Sequence, residues 1–530
     1  MRQSFALRTL AGTALALLLS VSQAPLALAA ATAQSTEAES FDIGSVESFA
    51  GAFLAARTAE TDRDYPSAVK FYKKALEFTP NELELQQRLM IALIMNGEFD
   101  EGADLAKVLE NDPAVERVTS VALGFRAMRD GDYAQALKHF KYQGPNDLDR
   151  LMNQLLIAWT KVGEGKGEEA LKLVQDLDGP SWYGIFRNYN AGVMAAMIGD
   201  VDAARSALTD TVTDRNGGAT APDTFARSVI ALATLEAQAG NKQKALDALA
   251  AGDELITNFA PFKALRTEIE SGSQPKPVVT TAAQGAAGVL FSIGGALNRE
   301  GAEDTVMLYL QLSHALDKDA ADTLILLGGI AENAKQPEKA IAFYRQVPES
   351  SPMRRISELQ LGLTLAETGK VQEAREHLLA LIASDPQDIR SYLAYGSVLS
   401  DAKDYAAMAE NYDKAIEIIG PNPARNHWSV FFQRGIAYER LKKWDTAEPN
   451  FHKALELNPD QPQVLNYLGY SWVDMNRNLQ EGLEMIKKAV ELRPDDGYIV
   501  DSLGWAYYRL GRFEEAVVEL ERAVELRAGD

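Results

Sequence analysis

Cysteine is absent from all 530 positions of the sequence. Without it the chain cannot form disulfides, thiolate metal sites or a catalytic thiol. The chain also lacks the cysteine that carries the lipid of a bacterial lipoprotein, so no direct lipid anchor is expected. Histidine is scarce, and the HExxH spacing of zinc hydrolases does not occur. We therefore expect no metal ion and no cofactor.

Beyond the N-terminus, no apolar run reaches the length of a membrane span. At the N-terminus, Arg2 and Arg8 precede the apolar run Leu10–Leu19, and the small-residue motif Ala27-Leu28-Ala29 follows. This order is typical of a secretory signal peptide, for which we predict cleavage after Ala29, with 31–33 as a second possible site. A buried N-terminal helix would explain neither the cleavage motif nor the lack of early acidic residues. The expected product is exported, soluble and periplasmic in a host with two membranes, and not a lipoprotein.

Basic residues are too few to balance the acidic ones. The chain has 53 Lys and Arg against 75 Asp and Glu, a formal net charge of −22. A surface of this sign repels phosphate backbones and anionic lipid headgroups, so we expect neither nucleic acid nor membrane surfaces as general partners. Any electrostatic steering would favour basic partners and weaken with salt.

A repeat is present in the second half of the chain. Its markers are six glycines, spaced by 34, 34, 39, 34 and 35 residues: Gly328, Gly362, Gly396, Gly435, Gly469 and Gly504. Around Gly469 the pattern is Leu465-x2-Leu468-Gly469-x2-Trp472, and Ala489 and Pro494 follow. Small residues suit positions where two helices cross closely, and the proline ends the second helix.

This pattern resembles the tetratricopeptide repeat (TPR), W-x2-L-G-x2-Y…A-x3-F…P with a period of 34. The resemblance implies two antiparallel helices per repeat and an all-α fold, an α-solenoid of about 11–13 repeats in two arrays. A weaker version in the first half includes Ala68-x3-Tyr72 and Ala136-x3-Phe140. The predicted segments are a signal peptide at 1–29, a disordered lead-in at 30–47, a divergent array at 48–270, a Pro- and Ser-containing linker at 271–287 and a C-terminal array at 288–530.

No catalytic constellation is evident. The sequence Gly163-Glu-Gly-Lys-Gly167 resembles a phosphate-binding loop weakly, but no Ser or Thr follows it and an acid lies inside it. We interpret it as a turn between two repeat helices. The expectation is a protein without enzymatic activity.

Aromatic residues concentrate near the C-terminus. Phe432, Tyr470 and Trp505 each follow a packing position by one residue, which rotates them about 100° around their helix. In TPR folds this side of the first helix lines the concave groove. The predicted partner-binding residues on that side are Phe432, Arg440, Tyr470, Tyr498, Trp505, Tyr508 and Arg509. Tyr, Trp and Arg dominate binding hot spots, although packing between repeats is an equal alternative.

The run from Leu465 to Leu526 also resembles exported proteobacterial TPR proteins that hold a C-terminal-processing protease and present cell-wall hydrolases to it. This resemblance implies a periplasmic adaptor that binds a protein or peptide in its groove, the partner being a protease or a cell-wall enzyme. The alternative is a structural subunit of an envelope export or polysaccharide-secretion assembly. A hydrolase would need catalytic residues that the sequence does not present.

Overall fold

The computed structural model describes residues 46–141, 146–297 and 302–527. The predicted signal peptide and residues 30–45 of the predicted lead-in lie outside these ranges. Over the described ranges the chain forms 28 α-helices and no β-strand, which confirms the all-α prediction. In the same ranges, none of the helices combines the length and apolarity that crossing a bilayer requires.

The chain divides into two compact units, 1–354 and 355–530. The first unit contains α1 (Phe49–Thr61), α2 (Tyr65–Phe78), α3 (Leu83–Asn96), α4 (Phe99–Val108), α5 (Glu116–Arg129), α6 (Tyr133–His139), α7 (Asp147–Gly163), α8 (Gly167–Gln175), α9 (Tyr183–Ile198), α10 (Val201–Thr213), α11 (Arg215–Thr220), α12 (Pro222–Gln238), α13 (Lys242–Leu255), α14 (Ala260–Glu270), α15 (Ala282–Leu297), α16 (Glu303–Leu316), α17 (Ala321–Asn333) and α18 (Pro337–Gln346). The second contains α19 (Arg354–Glu367), α20 (Val371–Ser384), α21 (Ile389–Asp401), α22 (Tyr405–Ile419), α23 (Trp428–Arg440), α24 (Trp444–Leu457), α25 (Pro462–Asp474), α26 (Leu479–Leu492), α27 (Gly497–Arg509) and α28 (Phe513–Leu526).

Turns within successive helix pairs recur at the repeat period. Gly97, Gly131, Gly165 and Gly199 lie 34 residues apart, and each has a positive φ between 77° and 86°. The residue after each glycine begins the second helix of its pair as the N-cap. Glycine reaches this left-handed conformation at no steric cost, so it reverses the chain directly after the first helix. The first half therefore repeats with the same period as the second.

One of these turns is the segment Gly163–Gly167. Helix α7 ends at Gly163, α8 begins at Gly167, and Gly165 between them has the left-handed φ. The interpretation of this glycine-rich segment as a repeat turn is confirmed.

The glycines that revealed the repeat lie where paired helices cross. A Cβ added to Gly435 would lie 2.6 Å from a ring carbon of Phe451. At Gly469 the neighbour is backbone, because the same atom would lie 2.7 Å from the carbonyl oxygen of Gly482. Real Cβ atoms do not approach this closely, so glycine allows the two helices of a pair to pack.

In the first unit, α15 and α16 fold back onto the first helices of earlier pairs. Helix α15 packs on α7, α9 and α12, whereas α16 packs on α3 and α5. The Gln311 side chain donates a hydrogen bond to the Met95 carbonyl at 3.2 Å, and the Arg227 guanidinium lies 4.3 Å from the ring centroid of Phe291. The unit's own chain thus covers the surface that these first helices share.

Residues 271–287, the predicted linker, are partly helical. Irregular chain extends over 271–281, and α15 begins at Ala282, inside the predicted linker. Ala286 and Ala287 are buried because α15 is apolar on nearly all sides and lies between other helices. The boundary between the compact units lies at Arg354, within the predicted C-terminal array.

Candidate functional site

The predicted groove residues lie on the first helices of three consecutive pairs in the second unit. Phe432 and Arg440 belong to α23, Tyr470 to α25, and the remaining four to α27. Helices α25 and α27 pack against each other directly, although α26 lies between them in sequence. Residues on the shared face of α25 and α27 can therefore form one site.

Phe432 is not part of an exposed surface. Only 6% of it is accessible, and its ring centroid lies 5.8 Å from that of Tyr467 and 6.1 Å from that of Phe451. Its rotation away from the packing position of α23 turns it towards a ring of the following pair instead of towards solvent. Here the alternative, packing between repeats, describes the residue.

Tyr498 also differs from the prediction. Its half-buried ring lies under the guanidinium of Arg527, 3.9 Å from ring centroid to cation. This contact places it against the end of α28. Tyr498 therefore belongs to the packing of the last helix pair.

Tyr470 lies among charged side chains and is 39% exposed. Burial raises the pKa of its phenol, and Asp474 and Asp501 raise it further. Arg440 and Arg509 oppose this increase, so two acids and two bases act on one hydroxyl. The structure thus brings three predicted residues, Arg440, Tyr470 and Arg509, to one place.

Trp505 and Tyr508 extend this surface along α27. Their rings stack at a centroid distance of 5.5 Å with 26° between planes, and half of Tyr508 is exposed. The Arg509 guanidinium lies 5.8 Å from the Trp505 ring and 3.7 Å from the Asp474 carboxylate. An exposed stack of aromatic rings with an arginine resembles the hot spots of protein interfaces.

Two polar atoms of this surface have no hydrogen-bond partner among the described residues. They are the indole Nε1 of Trp505 and the side-chain Oδ1 of Asn466, both buried at the atomic level. A buried donor or acceptor that lacks a partner costs about 1–3 kcal/mol.

We define the Tyr470 site by its residues, a set that differs from the predicted groove residues: Arg440, Asn466, Tyr470, Asp474, Asp501, Trp505 and Arg509. Asn466, Asp474 and Asp501 were not predicted as binding residues. The sequence carries a signal for them, because Asn466 and Asp501 lie one helical turn before Tyr470 and Trp505, and Asp474 one turn after Tyr470. Burial raises the pKa of the Asp501 carboxyl, opposed by Arg527, which makes Asp501 a receptive partner for a cation.

The Tyr470 site differs from the equivalent surface of the first unit. There α15 and α16 cover the first helices, whereas the main helix packing in the described second unit joins helices that are neighbours or next neighbours in sequence. In the described ranges, no group of three or more His, Asp or Glu residues is arranged to hold a metal ion. The arrangement can bind a polypeptide segment through aromatic contact and paired charges.

Comparison with known proteins identifies the repeat. Family models described as tetratricopeptide repeat match residues 359–423, 428–461 and 501–530, all in the second unit. The last two segments include Arg440, Asp501, Trp505 and Arg509 of the Tyr470 site, whereas Asn466, Tyr470 and Asp474 lie between the two segments. The match confirms that the chain carries tetratricopeptide repeats.

Two curated proteins are similar over part of the chain. The protein O-mannosyl-transferase TMTC1 of Homo sapiens is 24% identical over 168 residues, which are 32% of this chain and 18% of that protein. The BBSome complex member BBS4 of Bos taurus is 29% identical over 169 residues, 32% of this chain and 31% of that protein. The chain thus spans less than a third of the length of either relative.

Among solved structures, the APC/C hetero-tetramer Cut9–Hcn1 is similar with a TM-score of 0.36 and 14% identity. The similarity covers 87% of this chain and 96% of that one. The repeat matches and the paired helices together show an all-α solenoid of tetratricopeptide repeats. This architecture supports protein–protein interaction.

Proposed function

Because the second unit carries tetratricopeptide repeats, we propose that the chain is a non-enzymatic adaptor that binds a segment of a partner protein at the Tyr470 site. The observation that carries the proposal is the exposed aromatic surface of α25 and α27. Tyr470 is 39% exposed and Tyr508 is 50% exposed, and Trp505 stacks on Tyr508 and lies against Arg509. A peptide laid across α25 and α27 would cover these rings.

The charges of the site support a polar, mixed-sign ligand. Asp474 and Arg509 interact with each other, and Asp501 faces the cation of Arg527 as well as Tyr470. A segment that carries both a basic and an acidic side chain would find a counter-charge for each. A purely acidic tail would meet Asp474 and Asp501, so such a tail is not the proposed ligand.

The proposal includes a location. The N-terminal pattern of Arg2, Arg8 and the apolar run Leu10–Leu19 supports export, and the absence of cysteine supports a soluble periplasmic product without a lipid anchor. The resemblance of 465–526 to exported proteobacterial adaptors suggests a periplasmic protease or a cell-wall enzyme as the partner. Neither nucleic acid nor membrane insertion is part of the proposal.

A second candidate function is that of a structural subunit in an envelope export or polysaccharide-secretion assembly. The observation that favours it is the first unit, in which α15 and α16 cover the surface of the first helices. A solenoid whose inner surface is filled by its own chain can serve as a spacer.

Photocrosslinking in the native cell envelope distinguishes the two functions. A photoreactive phenylalanine analogue is introduced at Tyr470, at Trp505 and, as control, at Trp182 of the first unit, which is also 39% exposed. Adaptor function predicts one dominant soluble enzyme crosslinked at 470 and 505 but not at 182. If no crosslink forms at 470 and 505 and membrane channel subunits are crosslinked at other positions, the result would support the structural role and contradict the adaptor function.

A further inference from the structure

Helix α28 exposes an apolar stripe. Val517, Val518 and Val524 are 53%, 62% and 72% exposed, and Phe513 at the start of the helix is 60% exposed. These are among the most exposed large apolar side chains of the described residues. Ala516 and Ala523, through which α28 packs on α27, each precede a stripe residue by one position, so Val517 and Val524 lie about 100° around the helix from that contact.

The preceding repeat shows what covers such a stripe. Leu483 and Val490 of α26 lie 34 residues before Val517 and Val524, so the two pairs occupy equivalent positions. Leu483 is fully buried and Val490 is 9% exposed, because α27 packs on this face of α26. The repeat geometry therefore makes the stripe of α28 complementary to a helix that packs as α27 packs on α26.

Acidic side chains flank the stripe. Glu514, Glu521 and Glu525 are exposed and lie on the same side of α28 as Val518, at spacings of seven and four residues. A second copy of α28 placed across the stripe would bring these carboxylates against their own equivalents, in a chain of net charge −22. Charge complementarity instead favours a basic flank on the covering helix.

We propose that the outer face of α28 docks an amphipathic helix of a partner protein, with apolar residues over Val517 and Val524 and Lys or Arg opposite the three glutamates. The docked helix extends the solenoid by the packing of a following repeat. This surface is additional to the Tyr470 site and does not depend on a ligand there.

The probe is a synthetic 18-residue helical peptide with a Leu/Ile face flanked by Lys and Arg, labelled for fluorescence anisotropy; a second peptide carries Glu in place of Lys and Arg. The protein is the full chain. Val524→Asp and Val517→Asp introduce a charge at exposed positions, and circular dichroism verifies the fold. The matched control is Val108→Asp, because Val108 is 67% exposed in the first unit.

We expect the basic peptide to bind the parent and Val108→Asp equally, and each α28 variant at least tenfold more weakly. The added Asp would strengthen purely electrostatic binding of a basic peptide, so weakening identifies the apolar contact. The Glu peptide should bind at least tenfold more weakly than the basic one. Tyr470→Ala should leave the affinity for the basic peptide unchanged. The test of the α28 surface is therefore independent of the test of the proposed adaptor site.

Three results would overturn the proposal: no binding of the basic peptide, equal binding by Val524→Asp and the parent, or equal binding of the two peptides. Light scattering tests whether a second copy of the chain occupies this face. A dimer of the parent that becomes a monomer in Val524→Asp would assign the face to a second copy of the chain, contrary to the charge argument.

Discussion

Gly285 of α15 lies directly against the indole of Trp159 in α7, and a Cβ added at 285 would overlap the ring. The indole has no room to move. It is 1% exposed, and its Nε1 donates a hydrogen bond of 2.7 Å to Asn190 of α9. Asn190 in turn donates to the Phe186 carbonyl at 2.8 Å. The absence of a side chain at 285 thus lets α15 approach the first helices of two pairs at once.

Gly285→Leu is expected to loosen α15 from the first unit. Overpacking of a rigid site costs about 1–3 kcal/mol, so the thermal midpoint should fall by several degrees. The control is Gly329→Ala in α17, where no heavy atom lies within 4 Å of an added Cβ. That change should be neutral or stabilise by about 0.5–1 kcal/mol because alanine favours the helix. Equal midpoints for Gly285→Leu and the parent would disprove the tight contact.

A pH-dependent contribution to stability is expected from Asp223 of α12. Burial raises the pKa of this carboxyl to about 6, and Asp322 adds to the increase whereas Arg227 opposes it. The unfolded chain has the ordinary value of 3.8, so the folded state binds the proton more tightly. The stability gained from this proton is complete below pH 3.8 and is lost as the pH rises through about 6.

Asp223→Asn should therefore raise the thermal midpoint at pH 7.5, and the gain should shrink as the pH falls from about 7 towards 4. Differential scanning fluorimetry across this range measures it. Asp210→Asn, the same change at an exposed position of α10, serves as control and should show a small difference at each pH. A gain for Asp223→Asn that grows towards acid would contradict the assignment.

The sequence predicted the repeat architecture because local features encode it. Glycines at helix crossings and prolines after second helices recur at spacings of 34 residues or slightly more, and each follows from the contact between two neighbouring helices. The position of α15 was not predictable in this way. Its apolar sequence indicates burial but not the partner, since α7 lies more than a hundred residues earlier in the chain.

The candidate site was predictable in part for the same reason. Helical rotation placed Tyr470, Trp505 and Arg509 on one side of the first helices, and in the structure Arg509 lies near both Tyr470 and Trp505. It failed for Phe432 because the ring of Tyr467, one repeat away, covers that side chain. Periodicity gives the direction of a side chain, whereas its exposure depends on the size of the neighbours in the next repeat.

Asn466→Leu is expected to stabilise the free protein. The Oδ1 of Asn466 is buried without a partner, so its replacement by an apolar group removes a desolvation cost of about 1–3 kcal/mol. Asn450 of α24 is the matched control: its Nδ2 donates to the Thr446 carbonyl at 2.7 Å and its Oδ1 accepts from Arg434 at 3.1 Å. Asn450→Leu should lower the unfolding midpoint in urea. If Asn466→Leu lowers the midpoint as much as Asn450→Leu does, Oδ1 is satisfied in the free protein.

Gly469→Ala is expected to destabilise the second unit more than Gly362→Ala. Both glycines lie in first helices, so the gain in helix propensity, about 1 kcal/mol, cancels in the comparison. The surroundings of the two glycines differ. A Cβ added at Gly469 would lie 2.7 Å from the Gly482 carbonyl oxygen, whereas a Cβ added at Gly362 would lie 2.6 Å from side-chain carbons of Leu378. A leucine side chain can change rotamer, whereas two crossing backbones must separate.

Tryptophan fluorescence during urea unfolding measures this difference, because four of the six tryptophans (Trp428, Trp444, Trp472 and Trp505) lie in the second unit. Gly469→Ala should shift the midpoint to lower urea by an amount equivalent to about 1–3 kcal/mol, and Gly362→Ala by less than half of that. Gly482→Ala should match Gly469→Ala, since its Cβ would lie 2.9 Å from the Gly469 carbonyl oxygen. Equal shifts at 362 and 469 would mean that the helix crossing at Gly469 relaxes as easily as a side chain does.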